Sequence, residues 1–456
     1  MSAPRSASGN DPVDVIVVGA GMAGLKAASE LVARGRSVTV LEALDRVGGR
    51  TKRGEIAGRV ADYGGQWVGP RHFALLAEAK RLGIDTYDQF DEGQTVLQLG
   101  GSLRRFAGDT PKMSLPALIE LALLQKRWDR EMPTVPAEAP WSAPRAAEWD
   151  AQTLETWIER NLFTAEARAF ARLVPKGAWA ADAAQVSYLW FLDALRSGEG
   201  LASLMSVKGG VLEKKFKGGM QQIAGRLAGE LGERVVLEAP ARRILQDDDG
   251  VTVETDKGVF RGRFAIVATP PSPAVRIEYR PHLPAAHDML RQRMAMGAII
   301  KVAVAYETAF WREAGFSGQV ATDDDVLGLV YDDVQDVGPP VLLCFIEGRH
   351  AVALSGATKA ARREKVLASL VRFFGDAAAN PTAYDDNDWL TEPWTHGYVG
   401  AMPPGAMTPY GHALREPFGR IHWAGAETSA QWQGYIEGAV LSGIRAAEEV
   451  AARHNA

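Results

Sequence analysis

The chain has 456 residues, 46% of them hydrophobic, and 51 Lys+Arg against 56 Asp+Glu give a formal net charge of -5. That length supports a large core spread over two or three domains, and charges this well mixed exclude a nucleic-acid or anionic-membrane surface as the dominant partner. The single cysteine, Cys344 in "PVLLCFIEG", excludes an intrachain disulfide and reads as a buried small hydrophobe.

The first twelve residues, "MSAPRSASGNDP", lack the apolar core of a signal peptide, and no later stretch reaches the roughly 18 uncharged apolar residues of a membrane span. A cytoplasmic protein is expected. Val13 to Val18 is nearly all β-branched, as a buried parallel strand should be. "GAGMAGLKAASELVARG" follows with Leu25, Ala28, Leu31 and Val32 at helical spacing, and "SVTVLEA" reads as a second strand, completing a βαβ unit. From Met113 to Leu204 the chain is Ala-, Leu- and Trp-rich and mostly helical in pattern. The block "RVVLEAPARRILQDDDGVTVETDKGVFRGRFAIVATPP" reads as short strands broken at "DDDG" and "DKG", ending in an apolar strand at Ala265 to Ala268. Strand-like runs return between Ile299 and Cys344, and Lys359 to Phe374 reads as a helix. The expected organisation is α/β, with one domain from segments 12–70, 211–284 and 391–452 and a second, α+β domain from 71–210 and 285–390 interleaved with it.

Gly19, Gly21 and Gly24 spell G-x-G-x-x-G between the first strand and its helix. Such glycines serve a tight turn, close backbone approach to a pyrophosphate, and close packing of helix on strand, while the helix N-terminus offers free N–H groups to phosphate. Glu42 ends the second strand where an acid can accept hydrogen bonds from a ribose diol. This much reads as a Rossmann-like dinucleotide site and leaves NAD and FAD both open. "RVGGR" follows at once, with Arg46, Gly48, Gly49 and Arg50, and "YGGQWVGP" brings Gly65, Gln66 and Trp67. Paired glycines let backbone lie against a bulky flat ligand, and arginines can neutralise a diphosphate.

With Glu42, these residues resemble the extended FAD fingerprint of the flavin-containing amine oxidase family, and the resemblance spans nearly the whole chain. "LWFLDALRSGEG", "KFKGGMQQIAGRLA", "MGAIIKVAVAYETAFWRE" and "WAGAETS…GYIEGAV" are similar to monoamine oxidase segments in the same order. The resemblance implies a glutathione-reductase-like FAD-binding domain and oxidation of a primary or secondary amine to an imine, with O2 reduced to H2O2. It implies cofactor contacts at Glu427 and Thr428, a backbone contact on the adenine side at Val236, and a closing helix aimed at the flavin. The buried stripe expected for that helix is Ile436, Ala439, Val440, Gly443, Ile444 and Ala447.

Lys301, in the apolar strand "AIIKVAVAY", is a costly charge to bury unless it is hydrogen-bonded. By resemblance it holds a water at the flavin N5, with Trp389 nearby, and Tyr398 and Tyr435 are the aromatic pair that flanks the amine. Gly397 stands where mammalian monoamine oxidases bond the flavin through cysteine, so noncovalent FAD is expected. Met205 and Gly177 are expected to line the substrate passage. An L-amino acid oxidase is disfavoured, because those enzymes carry an arginine where Gln66, Trp67 and Val68 stand, and a buried carboxylate needs a cation. Leu329 replaces the acid that putrescine-type oxidases tend to place two residues before the tyrosine matching Tyr331, which favours a less polar substrate tail. A catalytically idle FAD-binding protein is the remaining alternative, no metal site is expected, and a homodimer is left open.

Overall fold

The computed structural model describes residues 12–108, 110–324 and 326–454. Strand Val13–Val18 lies inside an eight-stranded sheet, pairing in parallel with Val38–Leu41 on one side and with the end of Gly258–Val267 on the other. Its β-branched side chains fit that doubly covered position. Val235–Val236 extends the sheet beyond Val38–Leu41, and Ile421–Trp423 pairs in parallel with the last residues of Gly258–Val267. Where a short strand at Ala265 to Ala268 was expected, Gly258–Val267 runs unbroken. Its first half pairs antiparallel with Val251–Thr255 and its second half joins the parallel centre, with Gly262 opposite both Val13 and Val251. The polar letters of "FRGRF" mark the exposed side of a hairpin, and the strand continues through them.

Helix Met22–Ala33 begins one residue after Gly21, the cap residue with extended backbone. Helix Ile436–His454 packs in the same core as Met22–Ala33, with every member of the expected stripe buried or half-buried. The chain thus brings residues more than 400 positions apart against one another.

The second large sheet has seven strands in the order Ala383–Asp388, Ile299–Ala305, Val341–Glu347, Leu329–Asp332, Phe316–Thr322, Gln94–Leu99 and Ser102–Phe106. Neighbours are antiparallel except Phe316–Thr322 with Gln94–Leu99. All seven residues of Ile299–Ala305 are buried and the strand is paired on both sides, so Lys301 is not an edge residue.

Helices Leu115–Glu131, Leu154–Asn161, Ala165–Trp179 and Tyr188–Ser197 enclose a core that includes Trp128, Trp157, Tyr188 and Phe191. Helix Ala165–Trp179 is capped by the Thr164 side chain and contains Pro175, and its last turns carry Leu173, Val174 and Gly177. Among the described residues no helix is long and apolar enough to cross a membrane.

Candidate active site

A cavity of about 520 Å³ is lined from both sheets and from helix Ala165–Trp179. At one end stand Gly19, Gly21, Glu42, Gly48, Gly49 and Arg50, followed by Gly65, Gln66 and Trp67. Lys301, Trp389, Tyr398 and Tyr435 line the same space, as do Gly177, Met205, Leu329 and Tyr331. Residues from nine separate stretches of sequence therefore share one wall.

At the glycine turn, a Cβ on Gly24 would run into the Gly19 carbonyl oxygen, so glycine is what lets the helix sit this close to the strand. Glu42 is buried, and its carboxylate accepts the Ala20 amide at 2.7 Å and the Leu44 amide at 2.9 Å. Burial raises its pKa, against the opposing pull of those two amides. The Arg50 guanidinium donates to Glu427 Oε1 at 2.6 Å, to Glu427 Oε2 at 2.9 Å and to the Tyr398 carbonyl at 2.8 Å. Burial alone would raise the Glu427 pKa, but the Arg50 charge, its hydrogen bond and the Gly400 amide together outweigh it and hold the carboxyl below its ordinary range.

Five residues expected to touch a cofactor stand behind the cavity wall: Gly24, Arg46, Val236, Glu427 and Thr428. Hydrogen bonding and packing hold each of them in place. Gly24 serves helix packing, and Arg46 donates to the Gly49 carbonyl at 2.9 Å. The Val236 carbonyl accepts the Glu42 amide at 2.9 Å. Glu427 is spent on Arg50 and on the Gly400 amide, and the Thr428 hydroxyl donates to the Gly425 carbonyl at 2.9 Å.

Lys301 is 3% exposed, and its Nζ donates to the Gly64 carbonyl and to Gln66 Oε1, both at 2.6 Å. Two of its protons are thereby used and a third is free for the cavity. Burial pulls its pKa down to about 7, opposed by the charges of Asp62 and Asp333. Nζ lies 5.6 Å from the Trp67 ring centre and 5.4 Å from that of Phe345. Trp389 donates its indole N–H to the Tyr63 carbonyl at 2.7 Å, which fixes its ring in the wall.

Tyr398 and Tyr435 are both raised in pKa by burial, Tyr398 to about 12, so neither is an acid or base near neutrality. No ring contact joins them among the described residues, whereas Trp67 packs edge-on against Tyr331 with centroids 5.0 Å apart. Both line the cavity. Burial also pushes the Cys344 thiol up, and that side chain faces the core of the second sheet, away from this chemistry. Sequence reasoning passed over Phe345 and Glu347, which complete the wall beside Tyr331. An acid ending the run "VLLCFIE" was the signal available for Glu347.

Comparison with known proteins assigns the chemistry. The pattern of the family described as flavin containing amine oxidoreductase matches residues 22–451. The chain belongs to that family. It is 42% identical over 442 residues to the AofH protein of Mycobacterium tuberculosis, covering 96% of this chain and 97% of that one. It is 39% identical over 446 residues to the flavin-containing amine oxidase of Oncorhynchus mykiss, covering 96% and 85% of the two chains. The structure of cyclohexylamine oxidase from Brevibacterium oxydans IH-35A superposes with a TM-score of 0.94 at 33% identity, covering 98% of this chain and 100% of that one.

As a flavin-containing amine oxidoreductase, the protein is an oxidoreductase acting on amines, and the amino acid oxidase alternative finds no support. The residues present suit a flavin. Gln66 Nε2 and Thr269 Oγ1 are buried without hydrogen-bond partners, and both residues line the cavity. Buried polar atoms of this kind are costly unless a ligand or water satisfies them.

Proposed function

We propose that this amine oxidase holds FAD noncovalently in the glycine-lined half of the cavity and oxidises a primary or secondary amine with an apolar body in the other half. The observation that carries the reading is the continuity of the cavity from Gly19 and Glu42 to Lys301, Tyr398 and Tyr435. When bound, the flavin supplies the acceptor for the hydrogen and two electrons lost from the amine's α-carbon. A primary amine R–CH2–NH2 would thus lose a hydride from carbon and a proton from nitrogen and leave as R–CH=NH, which water hydrolyses to an aldehyde and ammonia, and the hydride and proton together would convert O2 to H2O2.

The protein's own part is positioning. Glu42 accepts from a ribose diol, and Arg50, steadied by Glu427, offers charge to the diphosphate. Tyr398 and Tyr435 steer a neutral amine between two ring faces and exclude water without exchanging protons. Lys301 holds a water with its free proton and favours the negative charge that O2 reduction brings into the cavity. Noncovalent attachment is supported at Gly397, where φ is +143° and a Cβ would fall 2.6 Å from the Gly297 carbonyl oxygen. No side chain fits there without moving backbone.

Segments 12–70, 211–284 and 391–452 carry the cofactor in this reading, and 71–210 and 285–390 carry the substrate. The cytoplasmic expectation is retained, and cell fractionation checks it. The deciding experiment is a peroxide-coupled screen over some dozens of aryl-alkyl, alkyl and cycloaliphatic amines, with chromatography of the flavin released on denaturation. Absence of FAD, or of amine-dependent peroxide, would overturn the proposal.

A further inference from the structure

The strand Val341–Glu347 carries apolar side chains at six positions and then an acid. Glu347 is 3% exposed, lines the cavity, and has its Oε2 buried without a hydrogen-bond partner. Among the described residues no cation forms an ion pair with it, and Lys176 acts on it only through space. Burial pushes its carboxyl up to about 8. An acid left in this condition is a standing cost to the fold.

Packing gives no reason for the oxygen. Ile299 is its register partner, and Phe345, two residues back on the same face, is paired with Lys301. The backbone instead makes room, since a Cβ on Gly328 would collide with Oε2. Two strand residues span roughly 6.6 Å, so Glu347 stands about that far along the wall from the Lys301 level. After burial, its charge is a further cause of the raised pKa of both Tyr331 and Tyr398, which places the acid beside the gap where the amine is held. The wall around it, with Leu329, Tyr331 and Phe345, is otherwise mostly apolar.

We propose that Glu347 determines specificity by accepting a hydrogen bond from a donor on the substrate's tail, a hydroxyl or a second amino group on an otherwise apolar amine. The inference rests on the amine-oxidase reading above. A cavity acid whose partner arrives with the substrate discriminates sharply, because the analogue lacking the donor leaves a buried oxygen unpaired.

The test uses the FAD-loaded protein and two matched pairs, tyramine with phenethylamine and 1,6-diaminohexane with hexylamine. The wild type is expected to favour the donor-bearing member of at least one pair about tenfold in kcat/KM, mainly through KM, and the pair that shows it identifies the donor. Glu347→Leu should bring that ratio close to one with flavin absorbance intact. Glu347→Gln should keep most of it, since the amide oxygen still accepts. A merely structural role would lower both members together and leave the ratio alone, and that result overturns the inference. So does a wild type that oxidises both members of both pairs equally, which leaves amine oxidation standing. A flavin bleached by none of the four amines overturns the inference, and the wider amine screen then decides the functional reading beneath it.

Discussion

Replacing Lys301 by methionine keeps an unbranched chain in the strand and removes the amine. A negative charge about 5.5 Å from Nζ, the distance at which Nζ already stands from the Trp67 and Phe345 rings, interacts with a full lysine charge by about 3 kcal/mol at an effective dielectric of ~20. Losing that much slows reaction of the reduced enzyme with O2 by about a hundredfold. The wild-type rate should itself fall as pH rises through about 7, because the protonated lysine that helps is lost there, and the methionine variant should lack this limb. Anaerobic reduction by amine should change only a few-fold, since no proton of Lys301 is needed for it. Stopped-flow absorbance separates the two half-reactions. Flavin content and Tm must be measured alongside, because Gly64 and Gln66 lose a buried donor, at about 1–3 kcal/mol each, against relief from burying an amine. Unchanged reoxidation, or equal slowing of both half-reactions, would refute the role given to Lys301.

Denaturation by acid or heat should release all the FAD into the supernatant, and flavin that stays with the polypeptide would contradict the argument from Gly397. Tyr398→Leu and Tyr435→Leu keep an apolar wall but lose a ring face, roughly 1–2 kcal/mol or a five- to thirty-fold drop in kcat/KM with flavin retained. Full activity in both, or loss of flavin in place of turnover, would count against the aromatic gap. Gly177→Leu should raise KM for bulky amines more than for short ones, since a Cβ there already comes within 3.4 Å of Leu329 Cδ1 and the rest of the side chain must occupy the passage; an equal change for both would refute that placement.

The parts of this site that could be read from sequence are those whose physics is local. Gly19, Gly21, Gly24 and Glu42 form one βαβ unit, and Lys301 announces itself as a charge inside an apolar run. Strand Ala383–Asp388 gave no such sign, because "AYDDND" neither alternates nor runs apolar, although it pairs with six of the seven residues of the lysine strand. The pairing of Glu427 with Arg50 was not legible, because the two lie 377 residues apart and nothing in either stretch records it. Glu347 carried the same kind of signal as Lys301, but an acid followed by Gly348 at the end of a strand also reads as a turn.

Arg50 joins three segments, giving one face to Glu427, one N–H to the carbonyl of Tyr398, and a place on the cavity wall. Cofactor grip and the amine's aromatic wall thus hang on a single guanidinium, and two sites that bias one shared group are thermodynamically linked. That linkage is reciprocal. In the reading proposed above, an inhibitor that settles Tyr398 should raise the affinity for flavin by the same factor as flavin raises the affinity for the inhibitor.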